Sequence, residues 1–308
     1  MRSFTAIDLF AGAGGFTVGA KAAGVDVLWA SNHFEPCVRI HKRNHPEVIH
    51  SCQDLCQADF TDVPDHDVLL ASPACQGHTR ARGLERAHHN SCRNTAWAVI
   101  ACAEAKDPET IIVENVPEFT SWVNYPAWRL ALENLDYVLT ENVLNAYNVG
   151  VPQSRERVFI VAKKWYDGLR EIPVGRSKLR PAKSFLNLSL DANKWSLIGT
   201  PNRAESTLTR IAKGRKDYGK KFLIAYYGQE RGGRSLDKPI GTITTKGRHA
   251  IVNGKYMRML TTKEEQAAMA FPSSYIMPSQ KALATKLLGN AVPPPLAAHV
   301  IKYALRSN

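Results

Sequence analysis

One apolar run constrains the fold more tightly than any other part of the sequence. Residues Val68 to Ala71 are all apolar, and Ser72-Pro73-Ala74-Cys75-Gln76 follows at once. A short apolar run that stops at a proline is typical of a buried strand. In open α/β sheets, ligands and reacting groups gather at the carboxyl ends of the strands. Cys75 is therefore a candidate nucleophile, although most buried cysteines only pack.

Strands and helices alternate through the first half of the chain. Apparent strands at Thr5 to Phe10 and Val25 to Ser31 flank a predicted helix, which follows the glycine-rich turn Ala11 to Phe16. The glycines let the backbone approach a ligand, and the helix N-terminus offers free amides. The turn lacks the full Gly-x-Gly-x-x-Gly spacing and a Gly-Lys-Ser/Thr ending, which argues against NAD and ATP.

Candidate ligand contacts follow several of the predicted strands. Phe34, after the second strand, could stack on an adenine, and Asp54 could accept from an adenine amino group or cap a turn. Thr110 to Val113 is a short strand that runs into Glu114, so this carboxylate should lie near Cys75.

Further along, Gln153, Arg155 and Arg157 alternate in an extended segment and should point the same way. Surface salt bridging is the simplest role for these three side chains. Closer to the C-terminus, the spacing predicts a helix capped by Thr262 with Glu265 three residues later. A final helix after Pro295 should dock back on the first domain.

Composition excludes several classes of protein. The 308 residues include no apolar stretch long enough to cross a bilayer, and the N-terminus enters a strand at once, without room for a signal sequence. Six cysteines in a chain of this length do not form a disulfide framework, and no paired Cys-x-x-Cys units indicate a metal site. We expect no metal and a cytoplasmic or nucleoid-associated protein.

The positive charge is concentrated in one segment. From Lys163 to Arg258 there are 22 Lys and Arg against 7 Asp and Glu, a net of +15, whereas the rest of the chain carries −3. A segment of this kind is suited to phosphates. Regular patterning also fades from about Trp165, which indicates a second, loop-rich domain.

Six motifs together, and in this order, closely resemble the DNA cytosine-5 methyltransferases. They span nearly the whole chain, so chance is a poor explanation. The motifs are Asp8-Leu9-Phe10-Ala11-Gly12, Ser72-Pro73-Ala74-Cys75-Gln76, Glu114-Asn115-Val116, Gln153-x-Arg155-x-Arg157, Arg258-x-Leu260-Thr261 and Gly289-Asn290-Ala291-Val292.

The resemblance implies an α/β fold with a doubly wound, mostly parallel, Rossmann-like sheet and a smaller, loop-rich target-recognition domain. Residues 1–164 plus 252–308 would form the catalytic domain that binds S-adenosylmethionine, and residues 165–251 the DNA-binding domain. The implied contacts of the methyl donor, which leaves as S-adenosylhomocysteine, are Phe10, Ala11, Gly12, Gly15, His33, Phe34, Asp54, Asn290 and Val292.

Two positions depart from the family pattern. His33 stands where the family usually has a glutamate that holds the ribose, and Glu35 follows two residues later, so either could take that role. Ala74 replaces the proline that usually precedes the nucleophile, with Pro73 one position earlier. Neither departure removes a reacting group.

The family chemistry gives each catalytic candidate a role. Cys75 would add to carbon 6 of cytosine, because carbon 5 alone is too poor a nucleophile to take a methyl group. Glu114 would protonate or hydrogen-bond N3 of the ring. Arg155 and Arg157 would hold the carbonyl oxygen of the base and favour the thiolate form of Cys75.

The implied substrate is a specific sequence of double-stranded DNA, from which the cytosine must swing out to become 5-methylcytosine. The basic loop from Gly77 to Asn90 would close over that base. The resemblance also implies a monomer encoded by a bacterium or a phage, with a cognate restriction endonuclease as a partner in a restriction-modification system. The candidate DNA contacts are Arg80, Arg82, Arg203, Arg215, Arg231, Arg234 and Arg248.

Three other functions compete with this interpretation. One branch of the family methylates cytosine in transfer RNA, which is equally anionic. A catalytically inactive DNA-binding relative would not need Cys75, Glu114, Arg155 and Arg157. A nucleotide-dependent oxidoreductase would share the sheet but leave the cysteine and arginine motifs unexplained.

Overall fold

The computed structural model describes most of the chain, in two compact units. The described residues are 3–74, 94–164, 171–191, 194–201, 203–227 and 230–306. The first unit comprises Met1–Val149, Glu156–Arg176 and Ala291–Asn308, and the second comprises Gly150–Arg155 and Ser177–Asn290.

A seven-stranded sheet forms the centre of the first unit. Its strands are β1 (Phe4–Leu9), β2 (Val25–Ser31), β3 (Ile49–Ser51), β4 (Val68–Ala71), β5 (Thr110–Asn115), β6 (Val138–Asn145) and β7 (Glu156–Lys163). Across the sheet they run in the order β3-β2-β1-β4-β5-β7-β6. Strands β1 to β5 pair in parallel, whereas β7 is antiparallel to both of its neighbours. The predicted mostly parallel α/β sheet is therefore confirmed.

Helices connect these strands and continue through the second unit. The α-helices of the described residues are α1 (Gly15–Ala22), α2 (Glu35–Asn44), α3 (Trp97–Lys106), α4 (Tyr125–Glu133), α5 (Glu205–Tyr218), α6 (Thr262–Ala268), α7 (Lys281–Asn290) and α8 (Pro294–Ala304). Short 3-10 helices occupy Pro117–Ser121, Ala146–Val149 and Ala182–Ser184. No helix in this part of the chain combines the length and the apolar character that a membrane span requires.

The core of the first unit explains why its central strands are so apolar. Every residue of β4 and of β5 is buried, so neither strand alternates polar with apolar side chains. Aromatic side chains after β5 extend this core, with ring centroids of Phe119 5.5 Å from those of both Tyr125 and Trp128. The indole of Trp128 donates to the carbonyl of Ala96 at 2.9 Å, which satisfies its buried N–H.

The last helix docks back on the first unit, as the sequence predicted. Helix α8 packs against α1, where the absence of a side chain at Gly19 is required. A Cβ at this position would lie 2.5 Å from the Cβ of Ala297 and 2.9 Å from the amide of Ala298. Only glycine allows the two helices to approach this closely.

The second unit contains a five-stranded antiparallel sheet. Its strands are β8 (Ser196–Leu197), β9 (Lys221–Ala225), β10 (Gly233–Arg234), β11 (His249–Asn253) and β12 (Tyr256–Met259), in the order β10-β9-β11-β12-β8. Helix α5 covers one face, where Gly214 packs on the ring of Phe222. Ile211, Ile224 and Val252 complete the apolar core of this unit.

The extent of this unit differs from the predicted 165–251 domain. The boundary expected between residues 251 and 252 falls within β11, which pairs with β9 on one side and β12 on the other. Because strand pairing continues across it, residues 252–290 group with the second unit. Target recognition by this unit remains a prediction.

The predicted cap of α6 is wrong by one residue. Thr261, and not Thr262, is the N-cap, because its hydroxyl accepts from the amide of Glu264 at 3.2 Å. The carboxylate of Glu264 in turn accepts from the Thr261 amide at 2.9 Å, which completes a capping box. Glu265 is instead buried and accepts from the hydroxyl of Thr285 at 2.5 Å. The repeated sequence Thr-Thr-x-Glu-Glu offers two equivalent registers, and packing selects one.

Candidate active site

The carboxyl ends of the first three strands lie level at one edge of the sheet. Leu9 pairs with Ser31, which in turn pairs with Ser51. Backbone bonds continue beyond the strands, from the Ala11 amide to Ser31 at 3.0 Å and from the Asn32 amide to Ser51 at 3.3 Å. The segments that follow these strands contain most of the residues predicted to contact a cofactor.

The turn after β1 has a backbone conformation that few residue types adopt. Phe10, Gly12 and Gly14 have φ angles of 60°, 55° and 81°. Glycine reaches this region freely, but a phenylalanine does so only under strain. Such outliers cluster at ligand sites. Gly14 is also the N-cap of α1, so the unpaired amides of that helix begin at this turn.

Two of the predicted cofactor residues are in direct contact. A Cβ at Gly15 would lie 2.0 Å from the carbonyl oxygen of Val292, so the start of α1 packs against this backbone without a side chain between them. Val292 is therefore held beside the turn that contains Phe10, Ala11 and Gly12. Asn290 belongs to the second unit, where it is the exposed last residue of α7.

The ends of β2 and β3 carry the other candidates. Phe34 is half-buried and is the N-cap of α2, and its amide donates to Asn32 Oδ1 at 2.9 Å. His33 is exposed. Asp54 is also exposed, and its Oδ1 accepts from the amide of Cys56 at 3.0 Å, so this carboxylate does cap a turn. Asn32, which orients Phe34 through an Asx turn, was not singled out from the sequence.

A buried carboxyl group beneath this edge was also missed. Asp8 in β1 is completely buried, and its Oδ2 accepts from the hydroxyl of Thr17 at 2.8 Å. Its Oδ1 has no hydrogen-bond partner in the described part of the chain. Burial raises the pKa of Asp8 to about 7, against the smaller lowering effect of the Thr17 bonds. The sequence signal was an acidic residue inside an apolar strand.

The chain that leads to the predicted nucleophile is anchored on two sides. The carbonyl of Pro73 accepts from Asn115 Nδ2 at 3.2 Å, and the amide of Ala74 donates to Thr95 Oγ1 at 3.0 Å. Cys75 itself lies outside the described residues, as do Arg80, Arg82 and the predicted basic loop. The end of β4 is thus tied to the end of β5.

Glu114 is the second-last residue of β5 and faces an arginine from β7. Its Oε1 is 3.0 Å from Nε of Arg157, and the two side chains are only 7% and 13% exposed. The antiparallel register that pairs Glu114 with Phe159 brings Arg157 into reach. A buried pair of this kind holds both groups firmly, because loss of either would leave an uncompensated charge.

Arg155 does not share the surroundings of Arg157, contrary to the predicted common direction. Its two terminal nitrogens donate to the carbonyls of Ile243 at 2.9 Å and Gly289 at 2.8 Å, and the side chain is 1% exposed. Gln153 binds the same segment, because its Oε1 accepts from the amide of Ile243 at 2.7 Å. These residues precede β7, so strand alternation does not extend to them. Arg155 and Gln153 hold together the loop before β11 and the end of α7.

Most of the predicted DNA contacts in the second unit bind this unit itself. Guanidinium groups donate from Arg203 to the Leu197 carbonyl at 2.9 Å, from Arg215 to the Gly254 carbonyl at 2.9 Å, and from Arg248 to the Tyr226 carbonyl at 3.3 Å. Arg234 forms an ion pair with Glu230. These bonds do not prevent a phosphate contact, but they give each guanidinium a structural role.

Arg231 is the exception among these candidates. It is exposed, and it lines an open cleft of about 640 Å³ together with Lys213 and Tyr227. Gly232 and Gly233 contribute backbone without side chains to the same cleft. The cations, the aromatic ring and the open backbone suit an extended anionic polymer, and Asp217 and Glu230, which also line the cleft, offset part of its positive charge.

A family comparison decides the class of protein. The family model of C-5 cytosine-specific DNA methylases matches residues 4–306, nearly the whole chain. The chain belongs to this family. The predictions of a family member and of an enzyme that methylates DNA are therefore confirmed, and the family implies a methyl donor.

Relatives of this methylase cover most of its length. It is 26% identical over 313 residues to the type II methyltransferase M.NlaX of Neisseria lactamica, with 94% of this chain and 92% of the relative aligned. It is 25% identical over 302 residues to the type II methyltransferase M.HhaI of Haemophilus parahaemolyticus, with 93% and 89% aligned. Both relatives are type II methyltransferases by name.

Solved structures of low sequence identity share the fold of the methylase. A putative DNA modification methyltransferase encoded within an Escherichia coli prophage superimposes with a TM-score of 0.71 at 19% identity, covering 98% of both chains. A Spodoptera frugiperda DNMT2 mutant gives a TM-score of 0.72 at 19% identity, covering 99% of this chain and 100% of the other. At this identity the likeness extends to the fold alone.

Proposed function

We propose that this methylase transfers a methyl group from S-adenosylmethionine to carbon 5 of a flipped-out cytosine in a specific sequence of duplex DNA, through a covalent Cys75 adduct. The observation that carries the proposal is the buried pair of Glu114 and Arg157, beside a strand end that Asn115 ties to Pro73. It provides an acid group and a cation next to the chain that leads to the thiol.

The edge formed by β1, β2 and β3 fits the methyl donor. Open backbone at Phe10 and Gly12, the half-buried ring of Phe34 and the exposed carboxylate of Asp54 suit a nucleoside with a cationic tail. The unpartnered Oδ1 of Asp8 supplies a buried acceptor at the same edge. When bound there, S-adenosylmethionine would supply an electrophilic methyl group on a sulfonium.

The protein residues would then activate the base. The thiolate of Cys75 adds to carbon 6 of cytosine, which moves electron density towards N3. Glu114 takes up a proton when the base binds and gives that proton, or a hydrogen bond from it, to N3, while Arg157 orients Glu114 and holds the carbonyl oxygen of the base. Carbon 5 becomes nucleophilic enough to take the methyl group. A base such as water removes the carbon 5 proton, which re-forms the double bond between carbons 5 and 6 and expels the thiolate.

Arg155 has a different role in this proposal from the one that the motif implied. Both of its terminal nitrogens already donate to main-chain carbonyls. We assign it to the frame that connects the loop before β11 with the end of α7, next to Asn290. Arg157 is then the arginine that faces the base.

The second unit would dock on DNA through its excess of positive charge. Most of the candidate arginines are tied to their own unit, whereas Arg231 and Lys213 border an open cleft. We assign phosphate contact to these two first. Extrusion of the cytosine would cost a few kcal/mol, which contacts of this kind offset.

The type II names of the relatives support a cognate restriction endonuclease with the same target sequence. Under this proposal, DNA from cells that express the methylase resists one endonuclease specificity. We also propose that a monomer carries out the reaction, which light scattering of the purified protein would measure.

The experiment compares substrates and reads the target sequence directly. Purified protein and the labelled methyl donor are incubated with duplex DNA and, separately, with transfer RNA, and host DNA is sequenced after bisulfite treatment. We expect label in the duplex and protected cytosines in one sequence motif. Label in transfer RNA alone would replace DNA by RNA as the substrate, and absence of label from both would contradict the proposal.

A further inference from the structure

Four buried or half-buried side chains form a continuous hydrogen-bonded chain in the first unit. It begins at Asp8 Oδ2, which is 2.8 Å from the hydroxyl of Thr17. The same hydroxyl is 3.0 Å from Nε2 of His41, and Nδ1 of His41 is 2.8 Å from Nε2 of His50. Asp8, Thr17 and His41 are each at most 1% exposed, whereas His50 is half-buried. The methyl-transfer steps use none of the last three residues.

When Asp8 is ionised, the donor and acceptor of each hydrogen bond in this chain are fixed. The Asp8 carboxylate only accepts, so the Thr17 hydroxyl donates to it and must itself accept from His41 Nε2. His41 Nδ1 is then an acceptor, and it accepts a hydrogen bond from the N–H of His50 Nε2. Burial, with the neighbouring charges of His45, His50 and Lys21, holds the pKa of His41 well below its usual range, so this ring stays neutral.

Within the described part of the chain, no charged group faces Asp8 directly. From the neighbouring strands, Ala30 and Leu70 pair with it. From α1 the facing group is Thr17, with Lys21 one turn on, and from α2 it is His41, with His45 one turn on. Glu47 and His50 follow α2, and Glu47 pairs with Lys21. The Thr17 bond is thus the main contact that favours an ionised Asp8.

The other end of the chain points to a ligand. Asp8 Oδ1 is fully buried and has no hydrogen-bond partner in the described residues, two positions before the strained Phe10. An unpaired buried carboxylate oxygen is costly unless a cation or donor meets it. The proposed methyl donor has two positive groups, a sulfonium and an ammonium, and either would be attracted to this oxygen.

We propose that Thr17, His41 and His50 are positioning residues that orient and ionise Asp8 for the cationic methyl donor. This inference rests on the proposed function for the identity of the donor. A carboxylate attracts a cation more strongly at a buried site than in water. Donor binding therefore requires loss of the Asp8 proton. The hydrogen-bonded chain, which we call the relay, makes that loss easier by stabilising the charged form of Asp8.

The expected signature is a donor affinity that depends on pH. Because the pKa of Asp8 is raised to about 7 by burial, affinity for S-adenosylmethionine should rise by about tenfold per pH unit below the Asp8 midpoint and level off above it. Thr17→Val removes the hydroxyl and keeps the shape, so it should move this midpoint to higher pH and weaken binding several-fold at pH 7. Thr17→Ser restores the hydroxyl and should restore the wild-type profile.

The test measures equilibrium binding of S-adenosylmethionine by calorimetry between pH 6 and 8.5, in the absence of DNA. His45→Gln is the matched control, because His45 packs on the ring of His41, with centroids 4.7 Å apart, but lies outside the chain. It should leave the midpoint unchanged. His41→Phe keeps a ring in place and breaks the hydrogen-bonded chain between Thr17 and His41. This variant replaces Thr17→Val in the test if Thr17→Val does not fold.

A second measurement follows Asp8 itself, by carbon NMR of the labelled carboxyl group in donor-free protein. We expect a midpoint near pH 7 that moves upward in Thr17→Val and not in Thr17→Ser. An identical midpoint and affinity in wild type and Thr17→Val, or equal losses in Thr17→Val and Thr17→Ser, would overturn the relay. If the wild type binds no donor at any pH, the proposed function fails instead, which separates the two claims.

Discussion

At the scale of single residues, the contact between Glu114 and Arg157 has the most direct chemical consequence. Glu114→Gln keeps the size of the side chain and its ability to hydrogen-bond, but removes the acid that would protonate N3. We expect methyl transfer to slow by about 10²- to 10⁴-fold, as is typical for loss of a general acid. Single-turnover transfer to duplex DNA at saturating donor measures this rate.

The control for this variant is Glu104→Gln, an exposed carboxylate on α3. It should leave the rate within twofold of wild type. Donor binding by Glu114→Gln should also be normal, because Glu114 does not lie at the edge formed by β1, β2 and β3. Wild-type turnover in Glu114→Gln would mean that N3 is activated by another group.

The strand positions of candidate catalytic residues could be predicted from sequence in part, but their surroundings could not. Glu114 was predictable because it ends an apolar strand next to the strand that leads to Cys75. Arg155 was misplaced, because its partners Ile243 and Gly289 lie 88 and 134 residues away in the chain. The sequence signal at Asp8, an acidic residue in an apolar strand, was overlooked, and packing shows that this carboxyl group is completely buried.

At the scale of elements, the start of α6 provides a test with a built-in control. Thr261→Ala removes the hydroxyl that accepts from Glu264, and loss of such a cap costs about 1 kcal/mol. Thr262→Ala changes the neighbouring threonine, which is the first residue of the helix and does not cap it. We expect the free energy of unfolding, measured in urea, to fall by about 1 kcal/mol in Thr261→Ala.

Thr262→Ala should be neutral, because alanine is a good helix former. The reverse order of the two variants would restore the register predicted from the sequence. That register failed because the pattern Ser/Thr-x-x-Glu fits either threonine. The ion pair of Arg258 with Glu264, at 2.7 Å, makes the difference, since it fixes which glutamate faces the cap.

Strand positions were more predictable than the limits of the two units. β2 and β4 have the bounds expected from their apolar runs, which end at polar residues or proline. The boundary expected between residues 251 and 252 came from the family resemblance and from the loss of regular patterning after about Trp165. Neither shows which strands pair, whereas the pairing of β11 with β12 decides where the folded unit ends.

At the scale of the whole molecule, buried histidines make stability depend on pH. Burial lowers the pKa of His45 to about 4 and that of His249 to about 3. The unfolded chain binds protons at these rings near pH 6.5, but the folded chain excludes them. Stability should therefore decrease as pH falls from about 6.5 to about 4, by up to about 1.4 kcal/mol per pH unit for each ring.

Asp8 acts in the opposite direction, because the folded chain keeps its proton up to a pKa of about 7. Burial also raises the pKa of Glu265, so two carboxyl groups oppose five histidines whose pKa values are lowered: His41, His45, His50, His66 and His249. Urea unfolding at pH 7 and pH 5 tests the balance. Greater stability at pH 5 would contradict it, and His249→Gln should reduce the difference.

The uneven charge of the chain predicts how it binds DNA. A net of +15 between Lys163 and Arg258 should release counterions on binding, so affinity should fall steeply between 50 and 200 mM salt. Arg231→Gln should weaken binding and reduce the salt slope by about 1. Arg215→Gln, whose guanidinium already donates to Gly254, should reduce the slope less. A flat salt profile would argue against this segment as the docking surface.

The central claim is that the sulfur of Cys75 bonds to an extruded cytosine. The direct measurement uses duplex DNA with 5-fluorocytosine at the target, together with S-adenosylmethionine, because fluorine at carbon 5 prevents the final proton loss. We predict a stable protein–DNA adduct that mass spectrometry locates at Cys75 and that is absent from Cys75→Ser. Normal methylation of cytosine with no trapped adduct, or an adduct at another residue, would contradict the account.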